Sequence, residues 1–124
     1  MNSLTVEGTN KTPGITADPR QGTIEIRGRS HPEDTAEFYR PLTEWVDEYI
    51  AAPADNTVIS IDLEYCNTSS SKVILTILRK FEAIEGSRER VQVNWYYEEG
   101  DDDELETGEY YSQILNLGFK YIGI

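Results

Sequence analysis

Four hydroxyl side chains stand in a row at Thr68, Ser69, Ser70 and Ser71, preceded by Asn67 and followed by Lys72. The run falls where an alternating apolar pattern ending at Tyr65 gives way to a helical one opening at Val73. A helix start leaves backbone N–H groups without partners and carries a partial positive charge. One Asn or Ser is expected there as the N-cap, a structural role worth about 1 kcal/mol. Only one residue can hold that position, and Ser is a weaker helix former than Ala or Glu in the turn beyond it. The surplus hydroxyls fit two further chemistries. One is a cradle for a ligand anion. The other is acceptance of a phosphoryl group, which adds about −1.5 to −2 charges. Lys72 lies one turn beyond Thr68 and suits an anion placed on it. The residue types leave capping, modification and anion binding open.

The second chemical feature is acidic. Glu98 to Glu106 reads EEGDDDELE, with carboxylates in succession at Asp101, Asp102, Asp103 and Glu104. The segment lacks the spaced D-x-D-x-D-G pattern of a calcium loop and has no His or Cys beside it. It reads as a solvated loop, with contact to a basic partner surface as its functional reading. A Mg²⁺-dependent enzyme built on this loop is the competing class; no resident metal or other cofactor is expected.

Other catalytic parts are missing. His31 is the only histidine, set beside Pro32, and no Ser-His-Asp set can be composed around it. Cys66 has no basic neighbour in sequence to lower its pKa. No stretch resembles the glycine-rich phosphate loop of a nucleotide hydrolase. Trp45 and Trp95 read as core residues, and the protein reads as a non-enzyme.

Charge narrows the partners. Across 124 residues, 23 acidic side chains against 11 basic ones give a net charge of −12, which argues against nucleic acid or an anionic membrane surface. A lone cysteine rules out an internal disulfide and points to a reducing cytoplasm. MNSLTVEGTNKTPG is no signal peptide, and no apolar run approaches the ~18 residues of a membrane helix.

The elements that would position these groups are set out by periodicity. Leu4 to Glu7 and Ile15 to Ala17 are short strands, and the turn Asp18 to Gly22 leads into TIEIRGR as a hairpin. Ser30 and Glu33 have capping-box spacing with Pro32 between them. The helix they open carries Phe38, Leu42, Trp45, Val46, Tyr49 and Ile50 on one face, with a kink or broken turn expected at Pro41. In TVISIDLEY, Ile59, Ile61, Leu63 and Tyr65 alternate with Ser60, Asp62 and Glu64.

A second helix, with Val73, Ile74, Ile77, Leu78, Phe81 and Ile84 on one stripe, closes near Gly86. VQVNWYY is a strand, the acidic loop comes next, a shorter helix spans Glu106 to Leu117, and FKYIGI is the last strand. The order is a hairpin and then βαβαβαβ. It predicts one α/β domain over residues 1–124, with a mixed sheet of about five to six strands. Three strands alternate instead of reading as continuous apolar runs, which places the helices mainly on one face. The open face, with Glu25, Arg27, Asp62, Glu64 and Asn94, then suits a phosphate-independent adaptor.

GRSHPED, EYCNTSSSK and WYYEEGDDDELETGEYY, in this order and at these separations, resemble the SiaC family of bacterial regulatory phosphoproteins. The resemblance covers nearly the whole chain, and NTSSSK directly after a strand is its most specific part. It implies a fold similar to the anti-sigma-factor-antagonist (STAS-like) domains. It also implies that the phosphoacceptor is Thr68, with Asn67, Ser69, Ser70, Ser71 and Lys72 as the surrounding switch region. The implied partners are a dedicated serine/threonine kinase and an opposing PP2C-type phosphatase. A diguanylate cyclase is the third, activated by the unphosphorylated form to raise cyclic-di-GMP and promote biofilm or aggregation. Where the family usually has Phe after the strand's Tyr, this chain has Cys66.

Overall fold

Six strands lie side by side in chain order in the computed structural model, which describes residues 1–124. They are β1 Leu4–Val6, β2 Gly14–Asp18, β3 Thr23–Ser30, β4 Thr57–Cys66, β5 Val91–Tyr97 and β6 Gly118–Gly123. β1, β2 and β3 pair antiparallel; β3 through β6 pair parallel. The parallel strands are joined through helices α1 Thr35–Tyr49, α2 Thr68–Lys80 and α4 Asp102–Ile114, with a short α3 at Ser87–Arg90. Each crossover advances one strand in the same direction, and crossovers are right-handed, so the helices share one face of the sheet. This is the expected mixed α/β sheet, with six strands.

Burial follows the alternation. Ile24, Ile26, Ile59, Ile61, Val91, Val93 and Trp95 are buried beneath the helices, while Glu25, Arg27 and Gln92 on the other face are exposed. The helices answer with Tyr39, Leu42, Trp45, Val46 and Tyr49 from α1, Ile74, Ile77 and Leu78 from α2, and Tyr111 from α4. Each such side chain, fully removed from water, contributes about 1.5–3 kcal/mol. Both tryptophans belong to this core, and Trp45 stacks on Tyr49 with ring centroids 4.9 Å apart.

Five local expectations need correction. Helix α1 is capped not by Ser30 but by Asp34, whose Oδ1 accepts from the Glu37 N–H at 3.1 Å. Asp34-x-x-Glu37 has the same spacing as Ser30-x-x-Glu33, and Asp34 stands past Pro32, where the chain is free to turn. Ser30 instead ends β3, fully buried. Across Pro41, α1 runs unbroken; Pro41 is exposed, and the burial of Leu42, Trp45 and Val46 around it outweighs one lost N–H bond.

Tyr65 does not continue the buried row of β4. The β3–β4 register slips between Gly28 and Arg29, so that Gly28 faces Leu63 but Arg29 faces Tyr65. One extra residue turns the rest of the strand over to the other face, and Tyr65 is 46% exposed. Gly28, at φ 122°, occupies backbone space that a side chain would strain. The second helix ends at Lys80 and passes through a 3₁₀ turn at Phe81–Ala83, and Gly86 then opens α3 instead of closing α2. The last helix begins at Asp102, four residues before Glu106, so that Asp102, Asp103 and Glu104 form its first turn and not a loop.

Candidate functional site

The hydroxyl run is the first turn of α2. Asn67 is the N-cap: its Oδ1 accepts from the Ser70 N–H at 2.9 Å. None of the four hydroxyls is therefore needed for capping, and each has a separate fate.

Ser70 is fully buried, and its Oγ accepts from Ser30 Oγ at 2.8 Å. Ser30 has one proton and gives it to Ser70, so the Tyr39 hydroxyl, 2.7 Å away, donates to Ser30. This chain of three hydroxyls pins β3, α1 and α2 together. Burial pushes the Tyr39 phenol up to about 12, partly offset by its bond to Ser30. Ser71 Oγ sits 3.4 Å from Cys66 Sγ, and the Ser71 carbonyl accepts from the Tyr111 hydroxyl at 2.8 Å. Ser69 is exposed, donates to Asn67 Oδ1 at 3.3 Å, and shares a 2.9 Å bond with Thr35 Oγ1. That last bond sets the first turns of α1 and α2 side by side.

Thr68 is exposed, and its hydroxyl makes no hydrogen bond within the chain, unlike the three serines after it. Lys72, one turn along, is also exposed and belongs to none of the five ion pairs. No acidic residue occupies the first turn of α2 itself. Nearby, on the end of β4, Tyr65 packs edge-on against His31 at 5.5 Å and lies under the Arg29 guanidinium at 5.4 Å.

The acidic segment comes close to the same turn. A cleft of about 420 Å³ opens between α2 and α4, with Leu63, Ile74, Trp95 and Tyr111 among its walls and Glu64, Asp101, Asp103 and Glu104 at its polar side. Asp101 caps α4, accepting from the Glu104 N–H at 3.1 Å. Asp102 and Asp103 are exposed, and Asp102 does not line the cleft. Glu104 is half-buried: desolvation, then repulsion from Asp101, Asp62 and Glu98, push its carboxyl up to about 7.

The Cys66 thiol meets the Asn67 carbonyl and Ser71 Oγ and not the His31 ring, and burial raises it further from a reactive thiolate. No three His, Cys, Asp or Glu side chains converge as a metal's ligands would. On the open sheet face, Arg27 lies 3.7 Å from Asp62 and Arg29 lies 4.0 Å from Glu64. Reading by sequence missed Ser30 and Thr35 as partners of the Ser70 and Ser69 hydroxyls, and Tyr111 as the donor to the Ser71 carbonyl. Only the Asp34-x-x-Glu37 spacing hinted at this, by releasing Ser30 from capping.

Known proteins resemble this chain along its whole length. SiaC of Pseudomonas aeruginosa has a TM-score of 0.89 at 27% identity, with both chains fully covered. The crystal structure of the diguanylate cyclase SiaD in complex with its activator SiaC, also from Pseudomonas aeruginosa, contains a chain with a TM-score of 0.88 at 26% identity, covering 98% of this chain and 99% of that one. An uncharacterised protein of Pseudomonas aeruginosa strain UCBPP-PA14 is 28% identical over 119 residues, 96% of this chain and 94% of its own. The sequence pattern of the SiaC family regulatory phosphoproteins matches residues 6–124. With both fold and sequence matched over nearly its whole length, this chain belongs to the SiaC family.

Proposed function

We propose that this protein is a non-enzymatic cytoplasmic phosphoswitch, residues 1–124 acting as one unit. A partner kinase phosphorylates Thr68, a PP2C-type phosphatase reverses it, and the unphosphorylated form binds and activates a diguanylate cyclase, raising cyclic-di-GMP. The observation that carries this reading is the isolation of the Thr68 hydroxyl. Ser70 is buried, Ser69 and Ser71 are engaged, and Thr68 alone is exposed and unpartnered at a helix end that tolerates an anion. The complex of SiaC with the cyclase SiaD supports the choice of partner class. No helix is long and apolar enough to cross a membrane.

The chemistry of the switch is desolvation. A phosphate in water costs the protein little. Pressed into a partner's surface without cations to pair it, the same dianion must lose its hydration. A full swing between bound and free needs a differential of about 5.5 kcal/mol, within the range of a buried, unpaired charge. The kinase supplies ATP, Mg²⁺ and base.

The test is a pair of substitutions titrated against the organism's own diguanylate cyclase, with its activity as a second readout. Thr68→Ala retains binding and activation and refuses phosphate; Thr68→Asp loses both. If Thr68→Asp binds and activates like the wild type, the protein is instead an adaptor indifferent to phosphate.

A further inference from the structure

We propose that the cleft between α2 and α4 receives an arginine side chain of a protein partner, as a second point of contact beside Thr68. The inference rests on the reading of this chain as a partner-binding regulator, and it concerns a flank of α2 that the phosphorylation site does not occupy.

Three features select a guanidinium on an alkyl stem. The cleft's charged lining is wholly acidic: Glu64, Asp101, Asp103 and Glu104 line it, and no Lys, Arg or His does. Asp101, Asp103 and Glu104 have no basic partner anywhere in the chain, and Glu64 has only Arg29 at 4.0 Å. Apart from the hydroxyls of Ser71 and Thr107, the remaining lining is apolar and aromatic, including Leu63, Ile74, Trp95 and Tyr111. A methylene stem fits such walls, and a planar cation stacks on aromatic faces while reaching two carboxylates at once. Lysine offers a compact, strongly hydrated charge and lacks that planar fit.

The cleft is also coupled to the switch region. Its wall residue Tyr111 bonds the Ser71 carbonyl at 2.8 Å, and its wall residue Ser71 lies three positions beyond Thr68 on the same turn. A partner lying across the head of α2 therefore meets both features. Desolvation, and then repulsion from Asp101, Asp62 and Glu98, push the Glu104 carboxyl up to about 7, and a cation entering the cleft favours its ionised form.

The experiment uses the whole protein and small probes. N-acetyl-arginine amide is titrated while the Trp95 indole N–H resonance is tracked; that group is bonded to the Glu104 carbonyl at 3.0 Å and reports the cleft directly. N-acetyl-citrulline amide, the same shape without the charge, is the control. Saturable shifts at Trp95 and Tyr111 are expected with arginine at millimolar concentration, and about tenfold weaker binding with citrulline or with Glu104→Gln, as loss of a charge-assisted contact implies.

Three results would overturn the proposal. They are no perturbation at Trp95, equal response to citrulline, or arginine shifts that spread over the outer face of α4 and survive Glu104→Gln combined with Asp103→Asn. Neither kinase nor cyclase is present, so failure here leaves the Thr68 switch standing, and failure of Thr68→Asp to release the cyclase leaves the cleft standing.

Discussion

The Tyr111 hydroxyl donates to the Ser71 carbonyl across 2.8 Å, bridging helices whose bonded residues lie 40 positions apart in the chain. Because Ser71 is in the turn that Thr68 begins, α4 is tied directly to the turn that carries the exposed threonine. Tyr111→Phe removes the donor and leaves the ring in place. It lowers unfolding free energy by about 1 kcal/mol in urea titration, without changing the slope against denaturant.

The four hydroxyls separate by stability. Ser70→Ala strands the Ser30 proton in a buried site and costs about 1–3 kcal/mol, whereas Thr68→Ala and Ser69→Ala stay within about 0.5 kcal/mol of the wild type. Parallel chemical denaturation of the three variants checks the order. Equal losses at Ser69 and Ser70 would contradict the buried hydroxyl chain from Tyr39 through Ser30 to Ser70.

Phosphorylation at Thr68 leaves the fold intact. The added charge meets the positive end of α2, which has no acidic residue in its first turn, and gains about 0.3–1 kcal/mol of helix-end stabilisation. The thermal midpoint of the phosphorylated protein therefore equals or exceeds that of the unmodified one. A clear fall would mean that the switch works by loosening α2, not by spoiling a docking surface.

Glu104 makes stability depend on pH in a defined direction. Its folded carboxyl titrates near 7 against an ordinary value of 4.5, so the protonated form is favoured in the fold and that preference is lost as pH rises. Glu104→Gln, which stays neutral, matches the wild type below about pH 4.5 and becomes the more stable protein as pH rises towards 7, levelling off above. Its partial exposure keeps the gain modest. Denaturant midpoints at pH 4, 5, 6, 7 and 8 measure the difference; a gap constant with pH would contradict the burial of the Glu104 carboxyl among other carboxylates.

Much of this architecture was legible as periodicity. Ile59, Ile61 and Leu63 announced a strand buried on one face, and the alternation correctly left the other face of the sheet open. The misleading part was local competition between equivalent signals. Ser30-x-x-Glu33 and Asp34-x-x-Glu37 carry the same spacing, and only the burial of Ser30 against Tyr39 and Ser70 decides between them. Tyr65 was misplaced because a bulge is written in the pairing of β3 with β4, not in β4 alone. The acidic run looked like a loop because consecutive carboxylates repel. In the fold Asp101 caps α4, and Asp102, Asp103 and Glu104 sit at its positive end, where their charge is favourable.

The site showed the same pattern. A surplus of hydroxyls at a helix start was legible from composition, but which of them stands apart was not, since Ser30 and Thr35, the partners of Ser70 and Ser69, come from distant elements. The three-dimensional arrangement separates Thr68 by leaving it the only member with nothing to hold.

The account turns on whether the state of that one hydroxyl governs attachment. The most direct measurement is the dissociation constant of the cyclase for protein phosphorylated stoichiometrically at Thr68, against the unmodified protein, by calorimetry. The account predicts a weakening of about 100-fold or more, equivalent to about 2.7 kcal/mol. Affinities that agree within about threefold, a difference of less than ~1 kcal/mol, would contradict it.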